Sequence, residues 1–199
     1  MSVLNVNNKR PFLIGLTGGI ATGKSAVTKS LKKAGLMIID SDLIVSRLWQ
    51  HDAELNEMAS KEFKLPLPID KRELSRQVFS DSKKLERLNE MIHPKVFKEI
   101  DRLVLENMHQ DIIVIDMPLL FEVDYRKIDL SVLVYATKDQ QLERLLKRNQ
   151  MTKAKANLMI ASQMPINQKL FMADYVIYNN DTISKLDSEI NKFIEKLGV

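Results

Sequence analysis

The residues with the clearest chemical capacity lie near the start of the chain: Gly18-Gly19-Ile20-Ala21-Thr22-Gly23-Lys24-Ser25. They match the phosphate-loop pattern G-x-x-x-x-G-K-S/T. Glycines let the backbone curl until successive N–H groups point inward at an anion. A helix that starts in such a loop adds the positive end of its dipole. Lys24 supplies a point charge for the β- and γ-phosphates of a nucleoside triphosphate, and the Ser25 hydroxyl is a ligand for Mg²⁺. Thr17, at the mouth of the loop, groups with it as a nucleotide-binding residue. A glycine-rich turn with an exposed lysine would spell the same letters, but an apolar run before the loop and a helical pattern after it favour the phosphate loop.

Other polar residues follow at element ends. Asp40 and Asp42 come after a short apolar run. On an extended chain residues i and i+2 point the same way, and ligands of parallel α/β sheets bind at the carboxyl ends of the strands. A carboxylate there can take the proton of an attacking hydroxyl or orient it. The competing role is capping, by Ser41 or Asp42, of a helix that starts near Leu43. Asp116 closes an apolar run in the manner of a Walker B carboxylate, which helps hold Mg²⁺; it could equally initiate the turn at Met117-Pro118. Arg144 and Arg148 are four apart and share a helix face, with Lys147 beside them, just before a polar segment that reads as a mobile lid. Cations closing over phosphates neutralise transition-state charge; a solvated basic face is the plainer alternative. His93 precedes Pro94 and reads as a structural hydrogen-bonding group, while His51 and His109 belong to no pattern.

These residues need elements to hold them. Residues 12–16 read as a buried strand, 25–34 as a helix stopped by Gly35, and 36–39 as a second strand. From there to about residue 110 the apolar spacing is helical, with Leu85, Leu88, Met91 and Ile92, then Val96, Ile100, Leu103 and Val104. Pro94 suits the first turn of a helix. Strands are expected at 112–115, 130–135 and 175–178, and helices around Leu142, Leu145 and Leu146, over 151–164, and from Ile183 to the end. Unbroken apolar strands alternating with amphipathic helices argue for a parallel sheet covered on both faces. The expected architecture is a three-layer α/β core of about residues 10–42, 111–148 and 173–199, with a five-stranded parallel sheet, a helical insertion over about 43–110 and a helical lid over about 149–172.

Composition narrows the classes. The chain has 199 residues, 45% of them hydrophobic and 28% charged, which suits one soluble domain with an insertion. It has no cysteine, so disulfides, thiolate metal sites and cysteine nucleophiles are excluded. The net charge of +4 suits a handler of phosphates, and no dense basic tract interleaved with aromatics points to nucleic acid. The first ten residues lack the pattern of a signal peptide, and no apolar stretch is long enough to span a membrane. A cytoplasmic enzyme without membrane, nucleic-acid or obligate protein partner is expected. A phosphate loop also serves GTPases, but Thr137-Lys138-Asp139-Gln140 lacks the fourth-position aspartate of a guanine reader.

The ordered set of motifs resembles the dephospho-coenzyme A kinase family, among the nucleoside-monophosphate-kinase-like P-loop enzymes. The likeness runs from Phe12 to about Asn180. It rests on Gly15-Leu-Thr-Gly-Gly-Ile20, Ile39-Asp-Ser-Asp42, Leu88-Asn-Glu-Met-Ile92 followed by His93-Pro94, Pro118-Leu-Leu-Phe-Glu122, Gln163-Met-Pro165, Ala173-Asp174 and Asn179. The resemblance implies that ATP, with Mg²⁺, phosphorylates the ribose 3′-hydroxyl of dephospho-CoA to give CoA and ADP, the last step of coenzyme A biosynthesis. It implies Asp42 as base or orienter of that hydroxyl, and Arg144 and Arg148 at the ATP phosphates or adenine, with Arg144 catalytic beside Lys24. It also implies His93, Leu119 and Glu122 near the acceptor, and Asn179 near adenine. The chain departs from the family at Ser41, at Ser46 with Arg47 displaced by one, and at Asn149, Met159 and Asp181. The alternative is a P-loop kinase for another small metabolite or nucleoside monophosphate.

Overall fold

A computed structural model describes residues 10–149 and 151–199, with the side chains of Phe79, Arg148 and Asn149 outside the description. In chain order the elements are β1 (Phe12–Gly18), α1 (Lys24–Lys33), β2 (Met37–Asp40), α2 (Ser41–His51), α3 (Ala53–Phe63), α4 (Lys71–Phe79), α5 (Ser82–Glu106), β3 (Ile112–Asp116), β4 (Leu130–Tyr135), α6 (Lys138–Asn149), α7 (Lys153–Ala161), α8 (Ile166–Met172), β5 (Tyr175–Tyr178) and α9 (Ile183–Leu197). Contacts divide the chain into two compact units, one of Met1–Ile39 with Asn107–Val199, the other Asp40–Glu106.

The first unit is built on a five-stranded parallel sheet in the order β2-β3-β1-β4-β5. β1 is central, pairing Phe12 with Ile112 on one side and Ile14 with Leu130 on the other. β4 continues the register outward, Val132 opposite Tyr175. Strands buried on both faces need no polar alternation, and all five residues of β3 are buried. On one face Ile14, Leu16, Val114, Val132, Val134 and Ile177 pack with Val27 and Leu31 of α1 and with Leu186, Ile190 and Phe193 of α9. Burying such a side chain contributes roughly 1.5–3 kcal/mol, so this layer anchors α1 and α9 to the sheet whose β1–β3 pairing runs to Leu16 opposite Asp116.

The second unit is four helices, α2 to α5. Its spine is the 25-residue α5, which contains Pro94 in its interior. The expectation of a helix start at Pro94 is therefore corrected. The ring removes the N–H that would bond the carbonyl of Glu90. Buried Leu88, Met91 and Ile92 before it and Val96 and Ile100 after it keep the two halves packed as one element. Among the described residues, no helix is long and apolar enough to cross a membrane.

Beyond α6 the single helix expected over 151–164 is shorter. α7 stops at Ala161, and a second helix, α8, begins at Ile166 after Pro165. Ser162 is the C-cap of α7, and Pro165 disfavours helical backbone at Met164 before α8 begins.

Candidate active site

The phosphate loop joins β1 to α1. Its backbone needs two left-handed residues, Ala21 at φ 59° and Gly23 at φ 95°. Gly23 also lies against the Asn179 side-chain amide, so a Cβ there would collide with it. The loop is closed from inside by Thr22, whose Oγ1 donates to the Gly19 carbonyl at 2.8 Å. From outside it is braced by Arg144, whose Nη1 reaches the Ala21 and Thr22 carbonyls at 3.3 and 3.4 Å and whose Nη2 reaches the Asn179 carbonyl at 2.8 Å. The Asn179 Nδ2 donates to the Thr22 carbonyl at 2.7 Å. Arg144 and Asn179 are thus seated on the carbonyls of the loop, while its Thr22 N–H donates to the Gly19 carbonyl at 3.2 Å.

Lys24 opens α1, and its ammonium forms a short ion pair with Asp116 Oδ1. Thr28, one turn on, donates to Asp116 Oδ2 at 2.7 Å. Asp116 is 4% exposed, and these partners satisfy both of its oxygens. Ser25 is exposed in the first turn of α1. Thr17 is fully buried, and its hydroxyl donates to the Pro118 carbonyl at 2.9 Å. It ties the end of β1 to the segment after β3.

That segment carries Leu119, which is 40% exposed, and Glu122. Glu122 Oε1 pairs with Lys169 of α8 at 2.8 Å and accepts from the Met164 N–H at 3.0 Å. Its Oε2 is buried without a hydrogen-bond partner. The buried Lys169 ammonium is pushed down from the ordinary lysine value, first by burial, against the pull of Glu122 and with the repulsion of Lys24. Gln163, between α7 and α8, accepts the Ile20 N–H of the phosphate loop at 2.7 Å.

Asp42, Asp40 and His93 lie in the second unit. Asp40 Oδ1 accepts the N–H groups of Asp42 and Leu43 at 2.9 and 3.1 Å, so the cap of α2 is Asp40 rather than Ser41 or Asp42. Asp42 is an exposed residue of the first helical turn. The extended-chain argument for parallel Asp40 and Asp42 side chains fails, because the helix begins between them. His93 is half-buried, stacks on Phe97 with ring centroids 6.0 Å apart, and is pushed below its ordinary value by burial. Thr137 Oγ1 accepts from the Gln140 N–H at 3.3 Å, so the candidate guanine-reader segment caps α6. The side chain of Arg148 lies outside the described residues.

The first unit therefore gathers Gly18 to Ser25, Thr17, Asp116, Arg144, Asn179, Leu119 and Glu122, all named from sequence. It adds Thr28, Gln163 and Lys169. Gln163 belongs to a motif in the sequence that assigns it no role, and nothing in the sequence marks Thr28 or Lys169. A threonine one turn after the loop and a lysine in a short helix both read as surface residues.

Comparison with known proteins gives a consistent answer. A family model described as dephospho-CoA kinase matches residues 12–185. The chain is 36% identical to the dephospho-CoA kinase of Lactobacillus johnsonii, covering 94% of this chain and 98% of that one. It is 37% identical to that of Enterococcus faecalis, covering 92% and 96%. Among solved structures, a dephospho-CoA kinase from Campylobacter jejuni superposes with a TM-score of 0.68 at 25% identity, covering 93% of this chain and 96% of that one. TT1252 from Thermus thermophilus superposes at 0.81 with 26% identity, covering 94% and 98%. The chain belongs to the dephospho-CoA kinase family.

Proposed function

We propose that this chain transfers the γ-phosphoryl group of ATP to the ribose 3′-hydroxyl of dephospho-CoA, giving CoA and ADP. The observation that carries the reading is a complete phosphate loop, its lysine seated on the β3 carboxylate, within a chain that matches this one family over residues 12–185.

Phosphoryl transfer asks the protein for alignment and charge neutralisation rather than covalent chemistry. The 3′-oxygen attacks the γ-phosphorus, the bond from that phosphorus to the bridging oxygen of the β-phosphate breaks, and the hydroxyl proton leaves. In this reading the phosphate loop grips the triphosphate by its N–H groups and Lys24. Arg144 and Asn179 keep the loop shaped for it, because their donors occupy the loop's carbonyls. Asp42 takes or orients the hydroxyl proton, which suits an exposed carboxylate. His93, whose burial disfavours the charged ring, and Leu119 contribute acceptor contacts.

Mg²⁺ suits the donor set in part. The Ser25 hydroxyl is exposed at the helix start and is a hard oxygen ligand, while Asp116 reaches a metal only through a water or after giving up Lys24 or Thr28. The ion would neutralise charge shared by the β- and γ-phosphates. Cytoplasm is the expected location, with ATP and dephospho-CoA as the small-molecule partners.

The test is a coupled ADP-release assay with ATP, Mg²⁺ and dephospho-CoA, set against adenosine, AMP and shikimate. ADP release that depends on dephospho-CoA, with CoA as product, is expected. Release driven equally by another acceptor selects a different small-metabolite kinase.

A further inference from the structure

Lys169 is a lysine with no exposed surface, on a seven-residue helix whose first turn has no side-chain cap. Burying an ammonium costs several kcal/mol unless it is paired and hydrogen-bonded. Even a well-made buried pair is often no more stabilising than apolar residues of the same volume. A lysine that merely covered the sheet would leave its head in water. This one carries its charge inward to a fixed address: the Pro118 carbonyl at 2.9 Å and Glu122 Oε1 at 2.8 Å.

What that address controls can be followed bond by bond within the first unit. The Pro118 carbonyl also accepts the Thr17 hydroxyl, so Lys169 is tied to the carboxyl end of β1, one residue before the phosphate loop. Glu122 Oε1 holds the Met164 N–H at 3.0 Å as well as the ammonium. The residue before Met164 is Gln163, whose side-chain oxygen accepts the Ile20 N–H of the loop at 2.7 Å. Glu122 thus holds the turn between α7 and α8 at Met164 and, through Lys169, the helix that follows it, and the same turn puts the Gln163 amide against the phosphate loop.

We propose that Lys169 is a positioning residue for the nucleotide: paired with Glu122, it fixes the α7–α8 turn so that Gln163 supports the phosphate loop in its anion-binding shape. Neither residue contacts the triphosphate in this account. The effect travels through Gln163 and Ile20. The proposal rests on the kinase reading only for the identity of the nucleotide, so its test needs no acceptor.

The measurement is calorimetric titration of the whole chain with a non-hydrolysable ATP analogue and Mg²⁺, alongside a melting curve. Lys169→Met alone would strand Glu122, so the informative variant is Glu122→Gln with Lys169→Met, which removes both charges and leaves an acceptor for Met164. Its Kd for the analogue is expected to rise about tenfold, within the usual range of coupling between sites. Gln163→Ala is expected to give a similar rise, and adding it to the double variant is expected to add little, because the three residues act in series. Lys169→Arg, which keeps charge and reach, is expected to restore most of the affinity. Unchanged Kd in the double variant, whatever its melting temperature, overturns the proposal. So does a Gln163→Ala effect that multiplies fully with it. If the double variant does not fold, Glu122→Gln with Lys169→Gln, which keeps a polar pair in the buried site, takes its place: unchanged affinity overturns the proposal, and weakened affinity that Gln163→Ala does not deepen sustains it. Failure of the kinase reading would look different, as normal analogue binding without turnover of dephospho-CoA.

Discussion

At Lys24 the same ammonium is asked to do two things. It must be available to phosphates, and it balances Asp116, which is 4% exposed. Lys24→Ala should therefore bring turnover near background and also leave a buried carboxylate without its cation, which costs about 3 kcal/mol. Adding Asp116→Asn should recover the melting temperature and leave turnover lost. Recovery of turnover as well, in the ADP-release assay, would sink the assigned role of Lys24. Asp42 invites the opposite split. It is exposed, so Asp42→Asn should lower kcat on the order of 10²-fold while analogue affinity holds; unchanged turnover would remove it from the reaction. The phosphate loop could be named from its own local pattern, because it specifies its own backbone, whereas Leu119, Glu122 and Asn179 could be named only through the family resemblance. Thr28, Gln163 and Lys169 meet partners 88, 143 and 51 residues away. No spacing within one sequence points across such distances.

At the scale of elements, the strands were the most legible part. Residues 130–135 and 175–178 are β4 and β5 as expected, since short apolar runs bounded by polar residues have few other homes in an α/β chain. Helix ends were less so. The cap of α2 fell one residue earlier than Ser41, and the proline that suggested a start lies inside α5. The two errors have different causes: tertiary packing carries α5 through its proline, and a strand-ending aspartate caps the next helix. The cap has a consequence for the site. Asp40→Ala removes the acceptor for two N–H groups and should cost about 1 kcal/mol. Because Asp42 occupies the turn that would fray, the same variant should also lower kcat several-fold without weakening analogue binding. Loss of stability with kcat intact would separate the cap from the placement of Asp42.

At the scale of the whole molecule, titration of a few groups should set how stability depends on pH. Asp129 accepts the Leu13 N–H at 2.8 Å and pairs with Arg10. Burial pushes its carboxyl up, but these hydrogen bonds win and hold it below the ordinary value of 3.8. Asp52 behaves alike, burial being outweighed by the Leu55 N–H and Lys95. A carboxyl lowered on folding adds stability above its unfolded value, and that stability is lost as pH falls through the folded value. These two groups should thus produce acid destabilisation starting below about pH 5. His93 acts at higher pH. Burial pushes it below its ordinary 6.5, so below that pH the unfolded chain accepts a proton that the folded chain resists. Stability should therefore decline from about pH 7 toward pH 5 for a reason unrelated to the carboxylates. Urea midpoints measured at half-unit pH steps should show both phases, and His93→Gln should flatten the upper one while leaving the lower one in place. An upper phase of undiminished slope in His93→Gln would show that the buried ring beside Phe97 is not its source.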